Sequence, residues 1–288
     1  MTDQSVVVMG LPESGKTTFL AALWHLVSED EVACKLKYVT LKAGNVDHLH
    51  EIASRWREAK KQERTSVSGD KIVSMVLKTE RGEPQTITFP DVAGEAFQQM
   101  WERRECDEAV AEWLKAPGVL LFVHADKIVT PRWVVVEKIL AEALDVERET
   151  KEVIDWSPGL APTQVQLTDL LQLLQSAPLN VGPRRLAIIL SAWDKAAKLE
   201  LTPETYLAKK LPMLSQFLKH GLNPLWELRV YGISAQGGEY DDKNSSLPEA
   251  KRLREVSLPS ERIQVVYANN TSHDLTEPLQ WLLMQSPP

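Results

Sequence analysis

Residues 10 to 17 read Gly10-Leu-Pro-Glu-Ser-Gly15-Lys16-Thr17 and fit the pattern G-x-x-x-x-G-K-[ST]. Their flanks constrain the fold as much as the octapeptide does. Ser5 to Met9 (SVVVM) is a short apolar, β-branched run, the pattern of a strand buried on both faces. Thr18 to Val27 (TFLAALWHLV) is apolar on every side and reads as a buried helix. Strand, Gly-rich turn and helix together make a phosphate loop. The glycines reach backbone conformations closed to other residues, so successive N–H groups can turn inward on an anion at the helix N-terminus. Lys16 supplies a point charge for the β- and γ-phosphates, and Thr17 a hydroxyl for Mg²⁺. The chain binds a nucleoside triphosphate or descends from one that did.

Composition narrows the class further. At 288 residues the chain fits one enlarged α/β domain or a domain with insertions. A net charge of −7 argues against a nucleic-acid binder, because a phosphate backbone selects a basic face. Cys34 and Cys106 are the only cysteines, too few for a disulfide framework or a zinc site, so a reducing cytoplasm is the expected location. No apolar run is long enough for a membrane span, and the N-terminus runs into the first strand without a signal-peptide pattern. The nine tryptophans are mostly expected in the core.

Along the chain, strand and helix patterns alternate. A weak strand covers Lys35 to Leu41, and Asn45 caps a helix whose Leu49, Ile52, Ala53 and Trp56 share a face. Its Arg55, Arg57, Lys60 and Lys61 read as a solvated face. Ile72 to Thr79 and Gln85 to Phe89 are strands joined by the turn Glu80 to Pro84, and the second runs into Asp91-Val-Ala-Gly94-Glu95. A charged helix is expected around Glu105 to Lys115, then a buried strand at Val119 to Val123. His124 follows, a position where histidine is more often packed than catalytic.

Two helices, about Trp133 to Val146 and Thr163 to Gln175, make the next stretch an insertion, since neither brings a sheet with it. Leu186 to Leu190 is a strand ending in Ser191-Ala-Trp193-Asp194-Lys195. Thr202-Pro203 opens a helix that Pro212 should kink or split. Leu228 to Tyr231 is a strand leading to Ser234-Ala235-Gln236. The polar residues from Gly237 to about Glu255 read as a mobile loop, Ile263 to Tyr267 as a strand, and Leu279, Leu282 and Leu283 as a closing helix. The expected fold class is α/β, a mainly parallel, doubly wound P-loop sheet with helices on both faces and helical insertions.

Four segments fall in the order used by Ras-like, translation-factor-class P-loop GTPases, each at a strand's carboxyl end. GLPESGKT resembles the phosphate loop, making Glu13, Ser14, Gly15, Lys16, Thr17 and Thr18 nucleotide-binding candidates. Asp91-Val-Ala-Gly94-Glu95 resembles the D-x-x-G switch, in which the Asp approaches Mg²⁺ through water and the Gly N–H meets the γ-phosphate. Ser191-Ala-Trp-Asp194 stands in the place of the N/T-K-x-D base-reading motif, followed by Lys195, and Ser234-Ala235-Gln236 resembles the S-A-K loop whose backbone meets guanine O6. Ser191, Ala192 and Gln236 depart from the family's Asn or Thr, Lys and final Lys. Asp194, the residue that pairs with guanine N1 and N2, is kept. Trp193 is either a substitute stacking surface for the base or a core residue.

The long insertions and the late Leu275 to Leu283 segment resemble the bacterial double-GTPase group, typically encoded beside a second GTPase and effector-like proteins in signalling or defence clusters. That resemblance implies one Ras-like domain over residues 1–288 with insertions at about 42–70, 126–184 and 237–262. It also implies a Mg²⁺-dependent GTP/GDP switch working with a partner protein and leaves a homo- or hetero-oligomer open. Catalytic candidates are Lys16, Glu95 in the place of the water-orienting Gln, and Arg64 as an arginine finger in cis. Metal candidates are Thr17, Asp91 and Thr65, the last as the switch threonine, though ordinary loop polarity explains Arg64 and Thr65 equally well. Two other readings stay open: a nucleotide-binding assembly subunit with little or no hydrolysis, and an ATPase or small-molecule kinase.

Overall fold

The computed structural model describes residues 5–62, 71–79, 82, 84–91, 94–131, 157–242 and 246–284. The expected helix at Trp133 to Val146, and Arg64 and Thr65, lie outside the described residues. The strands are β1 (Val6–Gly10), β2 (Leu36–Ala43), β3 (Lys71–Thr79), β4 (Pro84–Asp91), β5 (Gly118–His124), β6 (Arg184–Ser191), β7 (Trp226–Ser234), β8 (Gln264–Tyr267) and β9 (Asn270–Ser272). The helices are α1 (Lys16–Glu29), α2 (Val46–Arg57), α3 (Gly94–Arg103), α4 (Glu108–Trp113) and α5 (Thr163–Leu174), then α6 (Trp193–Ala196), α7 (Pro203–Lys210), α8 (Pro212–His220), α9 (Pro248–Arg254) and α10 (Thr276–Leu283).

The central sheet has the order β1-β5-β6-β7-β8-β9. Its first four strands are parallel and β8 and β9 are antiparallel additions at one edge. A three-stranded antiparallel sheet, β2-β3-β4, carries β4 alongside β1. Period-two alternation sorts the parallel strands' side chains onto two faces. Val6, Val8, Leu120, Phe122, Ala187, Ile189, Tyr231 and Ile233 face one core with α1, α2, α9 and α10. Val7, Met9, Val119, Leu121, Leu186, Ile188 and Val230 face a second core with α3 to α8. Both faces are dry, which is why these strands read as unbroken apolar runs. Each fully buried Leu, Ile or Phe contributes about 1.5–3 kcal/mol of transfer free energy, so the sheet's two faces dominate the packing.

Local signals set the helix boundaries. The Asn45 side chain accepts the His48 N–H at 3.2 Å to cap α2, and Thr202 accepts the Thr205 N–H at 3.2 Å to cap α7. Pro212, which lacks the N–H a continuing helix needs, splits the expected helix into α7 and α8 at Leu211.

Three expectations need correction. The helix expected at Glu105 to Lys115 is the shorter α4, and α3 precedes it, burying Phe97 and Met100 at i, i+3 spacing. Asn270–Ser272 forms a further strand, its polar residues paired to β8. The stretch after Gly237, expected as a loop, contains α9 and is anchored at a few points: Tyr240 is 1% exposed, Ala250 is fully buried, and Asp241 exchanges backbone bonds with Ala59 and Lys61. No helix among the described residues is long and apolar enough to cross a membrane.

Candidate nucleotide-binding site

The carboxyl ends of β1, β4, β5, β6 and β7 lie along one end of the sheet pair, where an α/β sheet presents ligand sites. The phosphate loop leaves β1 there. Glu13 (φ 58°) and Gly15 (φ 95°) occupy left-handed conformations that curl the loop before α1, and the buried Ser14 N–H donates to Leu11 O at 3.3 Å. Gly10 is required by space: a Cβ there would lie 2.5 Å from Ser14 Oγ and 2.8 Å from Phe122 O. The N-cap of α1 is Gly15, which has no side chain to cap it, and no acidic residue lies in the first turn, so the helix itself supplies no negative charge against its N-terminal dipole. Lys16 Nζ donates to Gly10 O at 2.7 Å and Leu11 O at 3.1 Å, keeping the ammonium over the loop. Thr17 and Thr18 are half-buried in the first turn of α1.

Gly94 opens α3 directly against this loop. A Cβ on it would come within 2.4 Å of Pro12 N and 2.5 Å of Pro12 Cα, so the start of α3 meets the phosphate loop through backbone. Glu95 lies half-buried in the first turn of α3. Asp91 is the last residue of β4, paired with Lys71.

At the end of β6, the buried Ser191 Oγ donates to Ser14 O at 2.7 Å, a bond between residues 177 apart. Ala192 follows in a left-handed conformation (φ 52°), which costs a non-glycine residue about 1 kcal/mol or more. That turn swings Asp194 outward into the first turn of α6, where its Oδ1 accepts from Ser234 Oγ at 2.6 Å. The same hydroxyl oxygen accepts the Gly237 N–H at 3.0 Å, closing the loop that holds Ala235 and Gln236. Lys195, exposed, lies 3.5 Å from Glu239. Of the two roles left open for Trp193, the core role holds. Its ring is 2% exposed, packs edge-on to Tyr206 at 5.4 Å, and covers Gly232, where a Cβ would sit 2.4 Å from the indole.

Further residues lie at this end without having been site candidates from the sequence. Lys127, three residues past β5, ion-pairs with Glu13 of the phosphate loop. His124 Nδ1 accepts the Asp126 N–H at 3.2 Å; burial, aided by Lys127, pushes the imidazole below its ordinary pKa and keeps it neutral. Trp56 on α2 donates its Nε1–H to Ala235 O at 2.7 Å across 179 residues.

A phosphate loop on β1, the glycine of a D-x-x-G sequence packed on it, and an aspartate–serine pair at the ends of β6 and β7 are the marks of a P-loop GTPase. The chain belongs to the double-GTPase 1 family (DO-GTPase1), whose family model matches residues 7–282. No curated protein sequence matches the chain. Similar solved structures include Sup35 complexed with GDP, at 14% identity and a TM-score of 0.35, covering 88% of this chain and 44% of that one. The GTP-bound GTPase-like domain of Ski7 from S. cerevisiae is 13% identical with a TM-score of 0.40, covering 85% of this chain and 47% of that one. The signal recognition particle receptor SRb-GTP/SRX complex from Chaetomium thermophilum is 13% identical with a TM-score of 0.39, covering 88% and 99%. The chain thus spans under half the length of the first two.

Proposed function

We propose that this GTPase is a Mg²⁺-dependent switch that binds GTP and GDP, hydrolyses GTP slowly alone, and signals to or assembles with a partner protein in the cytoplasm. The observation that carries the reading is a pair of bonds. Ser234 Oγ, at the end of β7, orients Asp194, and Ser191 Oγ, at the end of the neighbouring β6, ties down Ser14. The base reader and the phosphate loop are thereby built from one rigid sheet terminus. A carboxylate with an unused oxygen suits the N1–H and N2–H₂ donors of guanine and has no matching pair on adenine.

Mg²⁺ fits the residues present: Thr17, in the first turn of α1, offers a hydroxyl, and Asp91 ends the strand running alongside β1, both hard oxygen donors. When bound, the ion neutralises phosphate charge as the terminal phosphoryl group leaves. The chain's own part is to hold the phosphates with the loop N–H groups and Lys16, and to bring Gly94 and Glu95 against them. A partner supplies what the described residues lack, a second GTPase or an effector docking on the surface around the 126–184 insertion. Glu95 also favours a second reading, an assembly subunit with little turnover, since a carboxylate near the γ-phosphate repels it as well as accepting a proton from water.

The test is equilibrium competition on nucleotide-free protein with GDP and ADP, with and without Mg²⁺. The reading expects GDP to bind about 100-fold more tightly or better, and GTP affinity to fall when Mg²⁺ is chelated. Equal affinity for the two diphosphates would overturn guanine selectivity.

A further inference from the structure

The bond from Trp56 to Ala235 joins the base-side loop to α2. Trp56 is fully buried, and its indole is clamped from several sides. The His25 ring packs against it at 4.9 Å and the Arg262 guanidinium lies 4.4 Å over it. Arg262 is itself held by the carbonyls of Pro259 at 3.1 Å, Arg57 at 3.2 Å and Leu253 at 3.4 Å. The indole N–H therefore has one direction, and it is spent on the carbonyl of Ala235 at 2.7 Å. A second tie, the backbone exchange between Asp241 and residues Ala59 and Lys61, fixes the end of α2 to the chain just past the same loop.

A peptide unit is planar and trans, so its C=O and N–H point in opposite directions. Anchoring the Ala235 carbonyl on a core tryptophan sets the Gln236 N–H pointing away from that tryptophan, and Asp194 is tied to the same loop through Ser234. In guanine the 6-oxo acceptor is adjacent to N1 on the ring edge that a carboxylate would grip. A group that receives it must be a donor beside Asp194, and a backbone N–H held in place from behind meets that need without paying to order a side chain. We propose that Trp56 is a positioning residue for purine recognition: it aims the Gln236 N–H at the 6-oxo group of the base whose N1 edge is held by Asp194. The inference rests on the guanine-binding reading above.

The experiment compares GDP, IDP and ADP binding to the full chain and to Trp56→Phe, which keeps an aromatic ring against Arg262 and removes the donor. IDP retains the 6-oxo group and lacks the 2-amino group, whereas ADP carries a 6-amino group. The variant should lose about five- to tenfold in affinity for both GDP and IDP, the effect of one misaligned hydrogen bond. ADP affinity and the GDP-to-IDP ratio should stay unchanged. A general loosening of the fold would weaken all three together and overturn the assignment, as would unchanged GDP binding in a variant that no longer donates. If Trp56→Phe does not fold, Arg262→Lys, which loosens the clamp and keeps the indole, should lower the GDP-to-ADP ratio in the same direction by a smaller factor; an unchanged ratio there overturns the proposal. Failure of the unmodified chain to prefer GDP over ADP would instead remove the guanine reading on which it stands.

Discussion

Asp194 is an acceptor-only side chain when ionised, and Ser234 already donates to Oδ1. What remains is a carboxylate edge whose aim is set by its neighbour, and its chemistry can be inverted by one atom. Asp194→Asn turns half of that edge into a donor, which opposes guanine's 2-amino group and suits the 2-oxo group of xanthine. GTP affinity should fall about 100-fold and XTP affinity should rise, read by competition against a fluorescent nucleotide. His25 gives the second prediction at this scale. It is 4% exposed on α1, faces the Glu31 carboxylate at 3.4 Å, and burial lowers its pKa from 6.5 despite that neighbour. As pH falls through 6.5 the unfolded chain takes up the proton first, so stability that is complete above 6.5 is lost down to the depressed native value. The melting temperature should drop between pH 7.5 and 5.5. His25→Gln should reduce that drop by about 2–4 °C without abolishing it, because His124 is lowered for the same reason.

Elements meet at this site through backbone, and that makes small residues decisive. Gly94 has no unusual φ; what it lacks is room, with Pro12 N 2.4 Å from where a Cβ would be. Gly94→Ala should push the start of α3 off the phosphate loop, costing about 1–3 kcal/mol of stability and most of the hydrolysis rate while leaving GDP bound. Denaturant unfolding and single-turnover assays check the two effects separately. The same physics decides how much of the fold could be read in advance. β1, β5 and β6 are dry on both faces, so their apolar runs stand out, and Pro212 announces the α7–α8 break by chemistry alone. Neither α3 nor the one-turn α6 is expected from the sequence, although Phe97 and Met100 carry the spacing of α3. β9 has no apolar side chain to reveal it and exists only through its pairing with β8.

Across the whole molecule, the local motifs were legible because phosphate and base contacts demand particular residue types at fixed spacing. The supports were not. The reach of Ser191 to Ser14 spans 177 residues and that of Trp56 to Ala235 spans 179, and nothing in either segment's own pattern points at the other. The remaining question at this scale is rate. In the proposed mechanism Lys16 and Mg²⁺ would cover part of the phosphate charge, yet a group must also orient the attacking water. On the proposed reading that group is Glu95, half-buried in the first turn of α3. It can take a proton from water, but its own charge opposes approach of the phosphates. An arginine delivered by a partner accelerates related chemistry by about 10³- to 10⁵-fold, roughly 4–7 kcal/mol of barrier. The isolated chain should therefore turn over slowly under single-turnover conditions. Glu95→Gln, which removes the repulsion and keeps a water-orienting amide, should change the rate by less than adding the cognate partner does. Fast hydrolysis by the unaided chain would overturn partner control, whereas bound GTP that persists with every candidate partner present would mark an assembly subunit in which the nucleotide is structural.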